Sequence, residues 1–600
     1  MPQLVDTTIR LLSQEPLAGK IPTGEILRIA EILDRAGFAC LEVSGGGAFD
    51  ASVRKGVESP WERIRALNAR TTTPLGIALR GRFLVGSHPV SADVARRFVA
   101  CAAENGIDVF RLHDPLNDVS NLREAAEAIV AAGRSVHVGL VYSPGRTGEV
   151  DALVEQAKRA AELGAARIIL NDPTDALLPH ITEELVQQLM EVTGLPVGLH
   201  VQGAAGTGLL NAVVATRVGA DLVASAIYPL ALTLHRVAGQ SLVEALHGLG
   251  RETGVDVKLL WEASDVVDEH IGDEPVASVA PRIAVRAAEY DLPAGIVAAL
   301  DMHLRLNASG DRLLDTLSEL QRIRAEVGWP PLASPIGQIL GSQAMLNVLS
   351  ARRYGTLHDK FRRLVEGKYG ATPAAIEPSL LSAVAAQPAP THALEDDPPS
   401  ADDVLEAADG LAASEEDLVL LALFGEQAET LLRTIRQRHS GETSLLEEDP
   451  DAQRAGRIRE LVKIVQESGV GEIEIEDEGM RVSVRRADEP ATVVAAAGAP
   501  GDAIDARPAG DSNGGLVRVE SPMVGVFYRS PNPGTPPFVE VGDMVGAGET
   551  LCLLEAMKLF NELQADVGGR VRAVHVDNAQ PVEFGTLLFE IEPVSGPPAV

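Results

Sequence analysis

Between residues 3 and 228 short apolar runs alternate with amphipathic stretches at a period of roughly 30 residues, and this repeat restricts the fold more than any other feature of the chain. The apolar runs are residues 3–10, 39–44, 74–80, 108–114, 136–143, 167–172, 196–202 and 222–228. The stretches between them, such as residues 23–37 and 91–106, open on Thr or Ser near an acid and close on Gly, as capped helices do. Eight such units closing on themselves make a TIM (β/α)8 barrel, expected over residues 1–300. The same units in an open doubly wound sheet would need a reversal of strand order, which sequence does not display.

Beyond the barrel the pattern changes, so the chain reads as multidomain. Residues 301–440 place apolar residues at three and four spacing, as in 313–328 and 416–438, and predict a helical extension. Within it a tract from about 384 to 414, rich in Pro, Ala and acids, is expected to be an exposed or partly disordered insert. Residues 455–487 hold an amphipathic run and an alternating one, which predict a helix and a small hairpin. Residues 488–515, made of Ala, Pro, Gly and Asp without a hydrophobic period, predict a flexible linker with a span on the order of 30 Å. The formal charge of −33 repels phosphate backbones and anionic lipid, so neither nucleic acid nor membrane is an expected partner. The N-terminus lacks a basic region followed by an apolar run, and the expected location is the cytoplasm. Cys40, Cys101 and Cys552 are too scattered for a zinc site or a disulfide framework.

Residues 516–595 carry short β runs separated by turn signals and predict a small all-β domain, a flattened β-sandwich. Between two of the runs stand Glu555, Ala556, Met557 and Lys558, followed by Leu559. A lysine at a turn between strands is thrust into solvent, where an enzyme can modify its amine; without such modification it is an ordinary surface lysine. These residues, with SPMVGVFYRSP, FVEVGDMVGAGETLCLLEAMKLFNEL and NAQPVEFGTLLFEIEP, resemble the biotinyl domain of biotin-dependent carboxylases. In detail they are similar to the carrier protein of bacterial acetyl-CoA carboxylase, including its thumb at Ser530 to Phe538 and its N-terminal region at residues 455–487. Lipoyl domains, the nearest rival, usually lack the Met-Lys pair and the thumb. The resemblance implies covalent biotin on Lys558, recognised through Glu555, Ala556 and Met557, and a biotin protein ligase to attach it. No ATP-grasp signature or glycine-rich phosphate loop is evident, so a separate biotin carboxylase is the expected partner.

Residues 1–440 resemble the carboxyltransferase domain of pyruvate carboxylase, oxaloacetate decarboxylase and transcarboxylase, through VDTTIR, PWERIRAL, LRGRFLVG, AAENGIDVFRLHDPLNDVSNL and SPIGQILGSQAMLNVLSARRYG. That resemblance implies a homo-oligomer and a divalent metal at the barrel mouth, held by an aspartate, a carboxylated lysine and two histidines, with a threonine that shuttles a proton. Position by position this chain departs from the set. Leu11 stands at the aspartate, Asn171 at the lysine, His200 and Gln202 at the histidine pair, and Ala298 at the threonine. The arginine that grips the substrate carboxylate is retained as Arg80, and Gln14 is also kept. With His200 and Gln202 as the residual ligands, divalent metal is not expected.

Two readings follow. In the first, the chain is the biotin carboxyl carrier of an acetyl-CoA or other acyl-CoA carboxylase, serving fatty acid biosynthesis, with an inert barrel and a separate carboxyltransferase. In the second, the barrel is an active carboxyltransferase of altered mechanism that acts on a 2-oxo acid or another acceptor. Arg80, His113, Asp114, Asp172 and His200 would then lie at strand ends, where barrel enzymes keep their chemistry. His113 or Asp172 would be the general base and Arg80 would hold an enolate.

Overall fold

Parallel strands covered on both faces read as nearly continuous apolar runs, and the eight runs of the N-terminal region form such strands. They are β1 (Gln3–Asp6), β2 (Cys40–Gly45), β3 (Leu75–Arg80), β4 (Ile107–His113), β5 (Ser135–Val141), β6 (Arg167–Asp172), β7 (Val197–Val201) and β8 (Leu222–Ser225). All neighbours pair in parallel, and the β1–β8 ladder, with Leu4 opposite Val223, closes the barrel in sequence order. The open-sheet alternative is thereby excluded. The computed structural model describes residues 1–439 except 57, 146–147, 204, 273–279, 308, 351, 388–397 and 409, the strands 472–477 and 480–485, and residues 517–593 except 522–524, 531–536, 547, 557–558, 566, 579 and 583–585. The chain divides into two units, residues 1–432 with 515–600, and residues 433–514.

The helices around the barrel bury one stripe each. In Ala92–Glu104, Val94, Ala95, Phe98, Val99, Cys101 and Ala102 are buried, while Arg97 on the far side meets Glu415 at 2.7 Å. Under this helix Phe98 joins Phe49 and the fully buried Trp61, with ring centroids 5.0–5.7 Å apart.

Between Val257–Ile271 and Glu415–Phe424 the described elements are all helices, and their core draws on the barrel's loops. Phe83, after β3, and Leu116, after β4, belong to one apolar cluster with Leu300, Leu317, Ile323, Ile339 and Phe361. Both loops lie at the C-terminal ends of their strands, so the helices pack against the rim of the barrel mouth. The tract expected to be an insert is partly ordered: Ala401–Ala407 is helical, started by a reciprocal cap between Ser400 and Asp403. Residues 388–397 lie outside the described residues.

In the C-terminal domain two four-stranded sheets enclose Phe527, Leu551, Cys552, Leu554, Val571, Leu588 and Phe589. Leu346 of the helical region completes that cluster, and Asp359 Oδ2 accepts a hydrogen bond from Glu562 N at 3.4 Å. In the second unit Glu472–Asp477 and Met480–Arg485 form the expected hairpin, whereas the expected helix before it and the linker at 488–515 lie outside the described residues. The three cysteines are free and buried. Among the described residues no helix is long and apolar enough to cross a membrane.

Because Trp61 is wedged between two phenylalanines, Trp61→Ala is expected to cost about 3–5 kcal/mol of barrel stability, read as a lower urea midpoint.

Candidate active site

Alternate residues of the barrel strands enter the lumen, and the lower layer is apolar: Val5, Cys40, Ile169 and Leu222 pack together there. Above it lies a charged layer. Glu42 of β2, side chain 5% exposed, receives Arg111 of β4 in a two-pronged contact, Nε at 2.7 Å and Nη2 at 2.9 Å. Arg10, on the turn of helix after β1, meets the same carboxylate at 2.6 Å. Burial works against the charge of Glu42, but the two guanidiniums outweigh it and hold this carboxyl well below the usual range. A cavity of about 30 Å³ lies among Glu42, Arg111, His137 and His200.

At the mouth one wall is bare backbone. A Cβ on Gly46 would fall 2.1 Å from Arg80 Nη2, one on Gly47 2.9 Å from Gln14 Oε1, and one on Gly45 3.4 Å from Arg10 Cδ. Three consecutive glycines thus admit three polar side chains. Arg80 donates to Val85 O at 2.7 Å and to Ser334 Oγ at 3.2 Å, which ties it to the helical region. The opposite arc comes from β4, β6 and β7. Asn171 and His113 meet over Gly139, whose Cβ would lie 2.4 Å from Asn171 Nδ2 and 3.2 Å from His113 Cβ. His200 stands beside Asn171 in the β6–β7 register.

The strand-end residues expected to carry chemistry divide. Arg80, His113 and His200 belong to this lining. Asp172 does not: its Oδ1 accepts from Thr174 N and Oγ1 at 3.0 and 3.1 Å, its Oδ2 from Leu177 N at 2.8 Å, and it is fully buried. Asp114 likewise accepts from Leu116 N, Asp118 N and Asn121 Nδ2. Both carboxylates organise loops, which competes with the role of a base at Asp172, although burial also raises its pKa to about 6. His113 is limited for another reason. Burial, then Arg111 and Arg80, push its pKa down to about 3, so the ring is neutral and a weak base at pH 7. Glu42, Arg10 and Arg236 were not singled out from the sequence. A charged residue inside an apolar strand, as in CLEVSG, was the available signal for Glu42.

The positions matching the related metal site present Leu11, Asn171, His200 and Gln202. Leu11 is fully buried and has no donor atom. The rest offer one imidazole and two neutral amides, a set that does not fit a divalent ion. Among the described residues no group of three or more His, Cys, Asp or Glu could hold a metal. Ala298 packs against the apolar core of the helical region.

Three known domains match the chain end to end: an HMGL-like domain over residues 1–267, a conserved carboxylase domain over 288–479 and a domain of biotin-requiring enzymes over 517–591. The pyruvate carboxylase B subunit of Methanocaldococcus jannaschii is 36% identical over 444 residues, covering 72% of this chain and 78% of that protein. Its counterpart of the same name in Methanothermobacter thermautotrophicus is 30% identical, covering 93% of this chain and 94% of that protein. The chain belongs to the family of pyruvate carboxylase B subunits. The 2-oxoglutarate carboxylase large subunit of Hydrogenobacter thermophilus is 29% identical over 94% of this chain and 90% of its own length. The carboxyl transferase domain of Rhizobium etli pyruvate carboxylase, solved with pyruvate and biocytin, matches with a TM-score of 0.63 at 23% identity, covering 72% of this chain and 77% of that one, and agrees in fold. The acetyl-CoA reading, with its role in fatty acid biosynthesis, is corrected by these findings. Relatives that match more than nine-tenths of this chain are named for 2-oxo acid carboxylases, and they favour the second reading.

Glu42→Gln would leave Arg10 and Arg111 without their counter-charge, with an expected loss of about 3–5 kcal/mol in the urea-unfolding free energy. The unfolded chain protonates His113 below about 6.5, and the folded chain only near 3, so stability falls as pH drops between those values. His113→Asn is expected to lose about 1–2 kcal/mol less than the wild type between pH 7 and pH 5 in the same measurement.

Proposed function

We propose that this chain is the carboxyl-transferring, biotin-bearing subunit of a 2-oxo acid carboxylase, loaded by a separate biotin carboxylase, with biotin on Lys558. The observation that carries this reading is the lined barrel mouth, Arg10, Arg80, His113 and His200, on the same chain as a biotin-requiring domain. The fit of biotin rests on the carrier hairpin. Strands Thr550–Ala556 and Leu559–Gln564 pair through Ala556 and Leu559, so Met557 and Lys558 form the connection between them; both lie outside the described residues. Bound there, biotin supplies a carboxyl group at a ureido nitrogen and takes up a proton in exchange.

The barrel's residues hold the acceptor. Arg80, kept on the mouth side by Val85 O and Ser334 Oγ, offers its free edge to a carboxylate. Burial lowers its pKa only to about 10, so it stays charged at neutral pH. His113, neutral, can hydrogen-bond an acceptor oxygen but does not store a proton at pH 7. With Ala298 at the shuttle position, no side-chain hydroxyl is present there to relay the acceptor's proton.

The test supplies biotinylated protein with a biotin carboxylase, ATP and labelled bicarbonate, then offers pyruvate, 2-oxoglutarate and acetyl-CoA. Label is expected in a 2-oxo acid product and absent with Lys558→Arg. Label that reaches only acetyl-CoA, or that never leaves the protein, would overturn the proposal.

A further inference from the structure

Several fully buried polar atoms of the barrel mouth have no hydrogen-bond partner among the described residues: Arg10 Nη2, Arg236 Nε, His200 Nε2, His113 Nδ1 and Asn171 Oδ1. Buried polar atoms are overwhelmingly paired, and a cluster of exceptions calls for a ligand. They come from different elements, β4, β6, β7, the turn after β1 and the loop after β8, and Arg10, Arg236 and His200 among them lie within electrostatic reach of one another. Gln202, just past β7, bridges Arg236, and Gly203 N donates to His235 O at 3.1 Å, so the two loops are zipped together beside His200. Arg236 lies close enough to Arg10, Arg111 and His200 for their charges to act on one another.

The charges do not balance internally. Arg10 and Arg111 share one carboxylate, Glu42, and the guanidinium of Arg236, within electrostatic reach of both, donates among the described residues only to the carbonyls of Leu234 and His235, which leaves an excess of positive charge. Asp6 at the end of β1 is held by Thr8 N and Oγ1, both at 2.8 Å, and burial raises its pKa to about 7, so at neutral pH it offsets only part of one charge. Arginine has no neutral form to retreat to, and burying an uncompensated guanidinium is costly.

We propose that Arg10 and Arg236, with His200 between them, form a metal-free site for a planar dianion, the enolate of a 2-oxo carboxylate, and replace the divalent ion by paired guanidiniums. Such an enolate carries two anionic oxygens on adjacent carbons, so its carboxylate can take one arginine fork while the enolate oxygen meets the second guanidinium. Its negative charge builds only as the acceptor loses its proton, so charge fixed in advance lowers that barrier. Naming the ligand an acceptor enolate rests on the carboxyl-transfer reading above; the dianion site itself does not.

The experiment is calorimetric titration of oxalate, whose adjacent carboxylates copy the enolate, into the full-length protein treated with EDTA. Oxalate is expected to bind equally with and without added Mg2+, Mn2+ or Zn2+, at least tenfold more tightly than acetate. Arg236→Gln is expected to weaken it at least tenfold and Arg236→Lys to restore part of the affinity, with unchanged circular dichroism. The EDTA comparison needs no variant, so it decides even if Arg236→Gln fails to fold. Absence of oxalate binding, binding that requires a metal, or wild-type affinity in folded Arg236→Gln would each overturn the site. Oxalate binding without carboxyl transfer to any 2-oxo acid would sink the proposed function and leave the site standing, whereas transfer from protein carboxylated beforehand that stops in EDTA and returns with added Mg2+, Mn2+ or Zn2+ would do the reverse.

Discussion

The barrel interior hangs on a single carboxylate placed between two arginines. Removing Glu42, Arg10 and Arg111 from water costs several kcal/mol per ion, and only close, well-aligned contacts offset it. The fork of Arg111 on Glu42 does so for one pair. The second arginine has a share of a carboxylate already engaged. What looks like a structural ion network is therefore also a reservoir of positive potential at the point where a barrel enzyme works.

Much of the fold was legible because its signals are local and repeated. A barrel strand is apolar on both faces and a barrel helix on one stripe, so each of the eight units declares itself without its neighbours. The run read as residues 3–10 shows the limit: Gln3–Asp6 is strand, but Thr8–Leu12 is already helical, because Asp6 turns back to cap Thr8. The site was only half legible. Arg80 and His200 stand at positions a resemblance can point to. Arg236 lies in a loop, and nothing in LALTLHRVAG announces that a bridge to Gln202 will carry it beside β7. Asp172 was ambiguous because a carboxylate at a strand end serves a loop's backbone as readily as a substrate, and only its hydrogen bonds distinguish the two roles.

The carrier misled for a different reason. Its task is to present one amine on a hairpin, and that task is the same whatever the final acceptor. Detailed likeness in a carrier therefore says little about the acceptor. There the substitutions are coherent: the position that would bind a metal through an acid is Leu11, the lysine position is Asn171, and the shuttle position is Ala298. Absence of anionic ligands and presence of the buried Arg236 act in the same electrostatic direction, since both leave the lumen more positive.

The glycine wall at Gly45, Gly46 and Gly47 sets how such a mouth can diverge. Its contour is main chain, and even a methyl on Gly46 would land on the guanidinium of Arg80. A side chain on that side therefore cannot be added without moving Arg80 or Gln14 from its seat, so the shape of this wall and the placement of those two polar groups change together.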